Sequence, residues 1–169
     1  MSNASVFSSI KSVSAAYREM IGEISDSEFQ TTPPIGGWSY SEVYFHIFDA
    51  SILSMAQLEA CIKGRGKDKP TSLVAKLILF FGRFPPVKLK APVQLEARLK
   101  KVTMQEAQDL IAAFLIRLEA AYPKISETDK NIKNLHPRLG YLDTEQWLRF
   151  IEIHLKHHYK QLKRIEKSF

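Results

Sequence analysis

The stretch from Asp143 to Ser168 constrains this chain most, because it is a helix-forming segment with two histidines set into an apolar stripe. At about 100° per residue, Trp147, Ile151, Leu162 and Ile165 fall within roughly 60° of one another. Glu152, Lys156, Lys160, Lys163 and Lys167 gather on the opposite side. Such a segment must bury one face against other helices. His154 and His158 lie inside that face, on either side of its centre, and side chains four apart are helical neighbours. A buried imidazole needs a partner. Two readings stay open on these residues alone: each histidine is a packed core residue with its own hydrogen bond, or one cation takes both lone pairs. His157 falls about 100° from His158, at the edge of the stripe. It is expected to be a partly exposed surface residue, the alternative being a group that supports a ligand.

Three further segments read as helix, and nothing reads convincingly as sheet. From about Ser5 to Ile24, the residues Val6, Ile10, Val13, Tyr17 and Ile21 recur at spacings of three or four. Ser25 to Gly37 reads as a connection broken by Pro33, Pro34, Gly36 and Gly37. A second helix is expected from Ser39, where Ser39 and Glu42 form a capping box, to about Lys63, ahead of Gly64 and Gly66. A long crossover, 64–102, then holds a short helix at Ser72 to Phe81 and an irregular stretch around Pro85, Pro86 and Pro92. Thr103 and Glu106 box the third helix, which is expected to reach Tyr122 and stop at Pro123. Lys124 to Tyr141 reads as loop, and Asp143 with Gln146 opens the last helix. The predicted architecture is an all-α, single-domain four-helix bundle over residues 1–169, with a long crossover between the second and third helices. Its handedness and exact topology do not follow from the pattern.

A third imidazole is available in the second helix. His46 shares its helical surroundings with Val43, Ala50 and Leu53, so it too is expected to point along an apolar face. His136, in a Pro-flanked loop, is expected to face solvent. Three neutral imidazoles from two helices make a half-shell with open positions, the arrangement of catalytic rather than closed structural zinc sites. The same donors suit nickel, iron or copper. Asp49, one turn beyond His46, is the better carboxylate to orient that ring, since Glu42 is occupied by its capping box. Cys61 has no base evident nearby and reads as a small core residue. The aromatic residues Trp38, Trp147, Phe45, Phe48 and Phe150 should be mostly core. The apolar and basic crossover from residue 78 to 92 is expected to cover the mouth of the site or to form a partner surface.

Composition removes other classes. One cysteine permits no internal disulfide, which fits a reducing compartment and makes the cytosol the expected location. No apolar stretch follows a basic start as in a signal peptide, and every apolar run, Leu77 to Phe81 included, falls far short of the roughly 20 residues of a membrane span. The net charge of +6 is spread along the chain, without a nucleic-acid motif or interleaved aromatics, so solvated basic faces are expected rather than a nucleic-acid site. The zinc-protease spacing H-E-x-x-H and a Gly-rich phosphate loop are both absent.

The stretch GGWSYSEVYFHIFDA, Gly36 to Ala50, resembles the second-helix motif of the DinB-like proteins, also described as YfiT-like metal-dependent hydrolases. There a Trp-Ser pair caps the helix and a histidine follows two turns later, matched here by Trp38, Ser39 and His46. The stretch WLRFIEIHLKHHYKQLKRIE, Trp147 to Glu166, resembles that family's last helix, where two histidines four apart are followed by a Gln-aliphatic pair. His154, His158, Gln161 and Leu162 match it. The resemblance covers essentially the whole chain. It implies a bundle holding one divalent ion, most often zinc or nickel and in some cases iron, on His46, His154 and His158, frequently as a homodimer. It also implies a small-molecule substrate: characterised members include thiol-dependent transferases and isomerases in which the metal activates a low-molecular-weight thiol.

Three functional readings therefore stand at the level of sequence. The first is a metal-dependent enzyme, a hydrolase or a thiol transferase, with Arg83, Lys88 and Lys90 of the crossover drawing in an anionic substrate. The second is a non-catalytic module in which the ion fixes the fold. The third is a helical interaction domain whose histidines are simply packed.

Overall fold

The computed structural model describes residues 2–85 and 97–169. Among these, the long helices are α1 (Asn3–Glu23), α3 (Tyr40–Ile62), α5 (Met104–Ile125) and α6 (Thr144–Glu166). Two shorter helices, α2 (Asp26–Gln30) and α4 (Leu73–Phe81), lie in the connections. All three capping boxes form: Ser39 with Glu42, Thr103 with Glu106, and Asp143 with Gln146. In each, the cap side chain takes one backbone N–H and the third helical residue returns a bond to the cap's own N–H, which satisfies two donors that a helix start leaves open.

Helix α3 packs along α5 and α6, and α1 along α6 and α5. Going round the bundle, the order is therefore α1, α5, α3, α6, so α1 and α3, consecutive in sequence among the long helices, stand diagonally. They meet through side chains across the core. The Tyr44 hydroxyl donates to the Tyr17 carbonyl (2.8 Å), and the Tyr17 hydroxyl donates to the Leu155 carbonyl of α6 (2.8 Å). Tyr17, Tyr44, Phe48 and Phe114 fill the centre with ring contacts near 5–6.5 Å, and Trp147 is buried against Phe150 at 5.9 Å. Each such ring buries on the order of 150–250 Å², so each contributes more burial than any aliphatic neighbour in the core.

Four local expectations are corrected. The 25–37 connection contains a helix, α2, because Ser25 caps it and Phe29 is buried. Helix α5 runs through Pro123 to Ile125: a proline costs its own N–H bond, but Tyr122 stacks on Phe7 (4.0 Å) and Ile125 is buried, which anchors the last turn. The 124–141 segment is not all loop. It holds an antiparallel ribbon, β1 (Asn134–His136) and β2 (Gly140–Leu142), pairing Asn134 with Leu142, Leu135 with Tyr141 and His136 with Gly140. This ribbon is tied to the crossover by bridges between Lys67 and Lys133 and between Thr71 and Gly140. Finally, Glu152 does not lie on a solvated face. It is fully buried, ion-paired with Arg149 and with Lys156 (2.7 Å), because α1 packs on that side of α6.

Arg149 also fastens α4 to the bundle. Its Nε donates to the Leu79 carbonyl (3.1 Å), and its guanidinium packs where a Cβ on Gly82 would stand. Gly82 ends α4 in the left-handed conformation (φ 66°), so the helix end and the arginine fit only around a glycine. No helix among the described residues is long and apolar enough to cross a membrane.

Candidate metal centre

The second turn of α3 and the middle of α6 face each other, and the three imidazoles expected from sequence converge between them. Each of His46, His154 and His158 offers a ring nitrogen lying within 4.8 Å of the others. Ring centroids are 4.9 Å apart for His46 and His158, 5.5 Å for His46 and His154, and 4.5 Å for His154 and His158. His46 is buried beside Val43 and Ile47, whereas Leu53 is 42% exposed and lies off that face. Among the described residues no fourth histidine, cysteine or carboxylate joins the cluster.

The hydrogen bonds define which nitrogens point inward. Nδ1 of His158 lies 2.8 Å from Oε1 of Gln161, an oxygen that can only accept, so the proton of His158 sits on Nδ1 and the lone pair on Nε2. That Nε2 lies 3.1 Å from Nε2 of His154. For a tetrahedral ion with metal–nitrogen bonds near 2.0–2.1 Å, two ligand nitrogens stand about 3.3 Å apart. The donor set, its spacing and the outer hydrogen bond on His158 all fit a divalent ion bound by imidazole.

Electrostatics favour neutral rings. Burial lowers the pKa of His46, partly offset by the charge of Asp49. Burial, then the neighbouring His158 and His46, lowers His154 well below the usual histidine range. Burial pushes His158 down to about 3, with His46 adding to the effect and the Gln161 bond opposing it. Unprotonated imidazoles at neutral pH are the form that ligates metals.

Rings surround the cluster: Trp38 lies 5.1 Å from His46, and Phe150 stacks on His154 at 5.6 Å with an interplanar angle of 22°. Phe45, Phe48, Trp147 and Phe150 are buried as expected, and Trp38 is partly buried. Asp49 is placed differently from the reading that gave it to His46. Both its oxygens are taken by Arg98, from Nε at 2.8 Å and Nη2 at 2.6 Å, and no hydrogen bond joins it to His46. Glu42 stays in its capping box. His157 is exposed, as expected of a surface residue, with its ring against Phe84 (5.3 Å) and His158 (5.0 Å). Cys61 is a buried core thiol, pushed up to about 11 by burial.

His136 is not solvent-facing. Its ring packs on Phe150 (4.4 Å) and Trp147 (5.3 Å), and its Nδ1 accepts from the backbone N–H groups of Arg138 and Leu139 (both 3.1 Å). The ribbon, invisible as an alternating pattern because each strand has three residues, is what turns it inward. Gln161 was legible only as part of a motif; its spacing of three from His158 is the signal that places its amide beside the ring. Within the crossover, residues 86–92, including Pro86, Pro92, Lys88 and Lys90, lie outside the described residues.

Comparison with known proteins gives the family and the fold. A model of the DinB superfamily matches residues 10–162. The Bacillus subtilis (strain 168) protein YuaE is 27% identical over 145 residues, covering 86% of this chain and 87% of its own. YfiT from Bacillus subtilis, described as a probable metal-dependent hydrolase with an unusual four-helix bundle topology, superposes with a TM-score of 0.68 at 15% identity, over 99% of this chain and 89% of YfiT. The four-helix bundle protein TT2238 gives 0.64 at 14% identity, over 96% and 99%. A mycothiol-dependent maleylpyruvate isomerase gives 0.64 at 13% identity, over 94% of this chain and 60% of the isomerase. At these identities the structural matches establish a shared fold.

Proposed function

This chain belongs to the DinB superfamily, and from that membership and the converging imidazoles we propose that it is a divalent-metal-dependent enzyme acting on a small molecule, with His46, His154 and His158 as ligands. The observation that carries the reading is the three-histidine cluster with no fourth protein ligand among the described residues. A structural zinc site closes with four protein ligands, whereas three leave a coordination position for chemistry. Zinc, nickel or iron(II) bound there would act as a Lewis acid and bring the pKa of a water or of a low-molecular-weight thiol toward neutrality, for hydrolysis or for thiol transfer. The description of YfiT as a probable metal-dependent hydrolase supports the first nucleophile, and the mycothiol dependence of the isomerase supports the second.

The chain's own groups have definable parts in this. Gln161 holds the proton of His158 on Nδ1 and so aims Nε2 at the centre. Trp38 and Phe150 shield the ligand rings from bulk water and lower the local dielectric, which strengthens every charge interaction inside. The Asp49–Arg98 pair places a carboxylate near His46 whose charge favours a cation nearby while Arg98 occupies its oxygens.

Elemental analysis of the purified chain beside His46→Ala, His154→Ala and His157→Ala tests the proposal. About one equivalent of zinc, nickel or iron in the parent and in His157→Ala, lost in the other two, is the expected result. A parent that takes up no metal after reconstitution at neutral pH would refute it and leave a helical interaction domain with packed histidines.

A further inference from the structure

An apolar groove on α4 lies two ring contacts away from His154 and His158. Val74, Leu77, Ile78 and Phe81 of the helix, with Arg83 and Phe84 of the following turn, line a space of about 490 Å³, the size of a small-molecule site. Val74, Leu77 and Phe81 are 61%, 49% and 62% exposed, a contiguous apolar surface of the kind that marks a binding site rather than scattered surface residues. Phe84 joins this groove to the candidate centre. Its ring lies 5.3 Å from His157 and 6.3 Å from Phe150. Those rings in turn lie 5.0 Å from His158 and 5.6 Å from His154. The groove contains one charged side chain, Arg83, which is exposed and is in no ion pair among the described residues.

We propose that this groove holds the body of the substrate, a small molecule with an aromatic or branched-alkyl part and an anionic end. The apolar part lies along Leu77 and Phe81, the anionic end pairs with the Arg83 guanidinium, and the reacting part passes Phe84 toward His154 and His158. This rests on the metal-enzyme reading for what happens at the far end, but not for binding in the groove. A concave apolar lining with a single cation at its rim suits a monovalent amphipathic molecule better than the flat surface of a second copy of the chain. Arginine at that position gives a fixed, planar donor pair for a carboxylate.

The test uses 4-phenylbutyrate and its neutral amide, 4-phenylbutanamide, as probes, titrated by ligand-observed NMR into the full chain in zinc-reconstituted and chelator-treated forms. The acid is expected to bind both forms, about 10-fold tighter than the amide, as one charge-assisted pair allows. Arg83→Gln should abolish that preference and leave amide binding unchanged, and Leu77→Asp should weaken both probes. Both side chains are exposed, so circular dichroism should show the fold retained. With cobalt(II) in place of zinc, the bound probe's protons should relax faster. Equal binding of acid and amide, no binding, an Arg83→Gln variant that keeps the preference, or no paramagnetic relaxation from a chain that has taken up cobalt would overturn the proposal. So would concentration-dependent self-association that Leu77→Asp abolishes, since the groove would then be an interface between copies. A chain that takes up no metal yet binds the acid through Arg83 refutes the enzyme reading and keeps the groove. A chain that holds metal and ignores both probes does the reverse.

Discussion

Gln161 accepts the Nδ1 proton of His158 at 2.8 Å, and this one bond decides that Nε2, not Nδ1, faces His154. An outer hydrogen bond of this kind sets both tautomer and ring orientation, and its loss typically costs 10–100-fold in metal affinity. Gln161→Leu is therefore expected to weaken zinc binding by about that factor, measured by competition with a chromogenic chelator, while Gln161→Glu restores it. Unchanged affinity in Gln161→Leu would mean that the ring is held by packing alone.

His136 makes stability depend on acidity. Burial, and then the charge of Arg138, pushes its pKa down to about 4 from 6.5. The folded state thus disfavours the charged ring, so the contribution is fully present above pH 6.5 and is lost as pH falls from there toward 4. Between pH 7 and pH 5 this amounts to about 2 kcal/mol. Urea unfolding of chelator-treated protein at those two pH values should show a drop smaller by about that amount in His136→Asn, whose side-chain oxygen can still accept from the turn. An identical drop in both proteins would place the pH dependence elsewhere.

Glu152 is enclosed between Arg149 and Lys156 with no exposure of its own. Removing one member of such a group leaves partly buried cations without a counter-charge. Glu152→Ala is expected to cost roughly 2–4 kcal/mol in chemical denaturation, with Glu152→Gln intermediate. A loss below about 0.5 kcal/mol would show that the group is solvated as a surface pair would be.

Gly82 is expected to tolerate no side chain. Alanine there meets both a left-handed backbone (φ 66°) and the Arg149 guanidinium. Gly82→Ala should lower stability by roughly 1–2 kcal/mol and loosen α4, seen as faster amide exchange of Leu79 and Phe80. If the groove proposal is correct, the same variant weakens 4-phenylbutyrate binding, because α4 supplies most of the groove.

Much of the fold was legible because it rests on local rules. The three capping boxes fixed where α3, α5 and α6 begin, and the apolar stripe on α6 fixed which face it buries. The stripe misplaced Glu152, since a single helix wheel cannot show that a second helix, α1, packs on what looks like the polar side. The proline at 123 and the ribbon at 134–142 were misread for a related reason: burial of Ile125 and pairing with the crossover are supplied by distant residues.

By itself the sequence determined the long helices, where α3, α5 and α6 begin, and that His46, His154 and His158 each lie on an inward-facing side, because periodicity and capping act within a few residues. Tertiary structure alone decided that α1 and α3 stand diagonally, that α3 and α6 bring a nitrogen of each of the three rings within 4.8 Å of the others, that Asp49 answers Arg98 rather than His46, and that His136 packs against Phe150. The physical reason is the same in each case. These relationships depend on how faces of remote segments are paired, and that pairing is set by the burial available to the whole chain rather than by any local spacing.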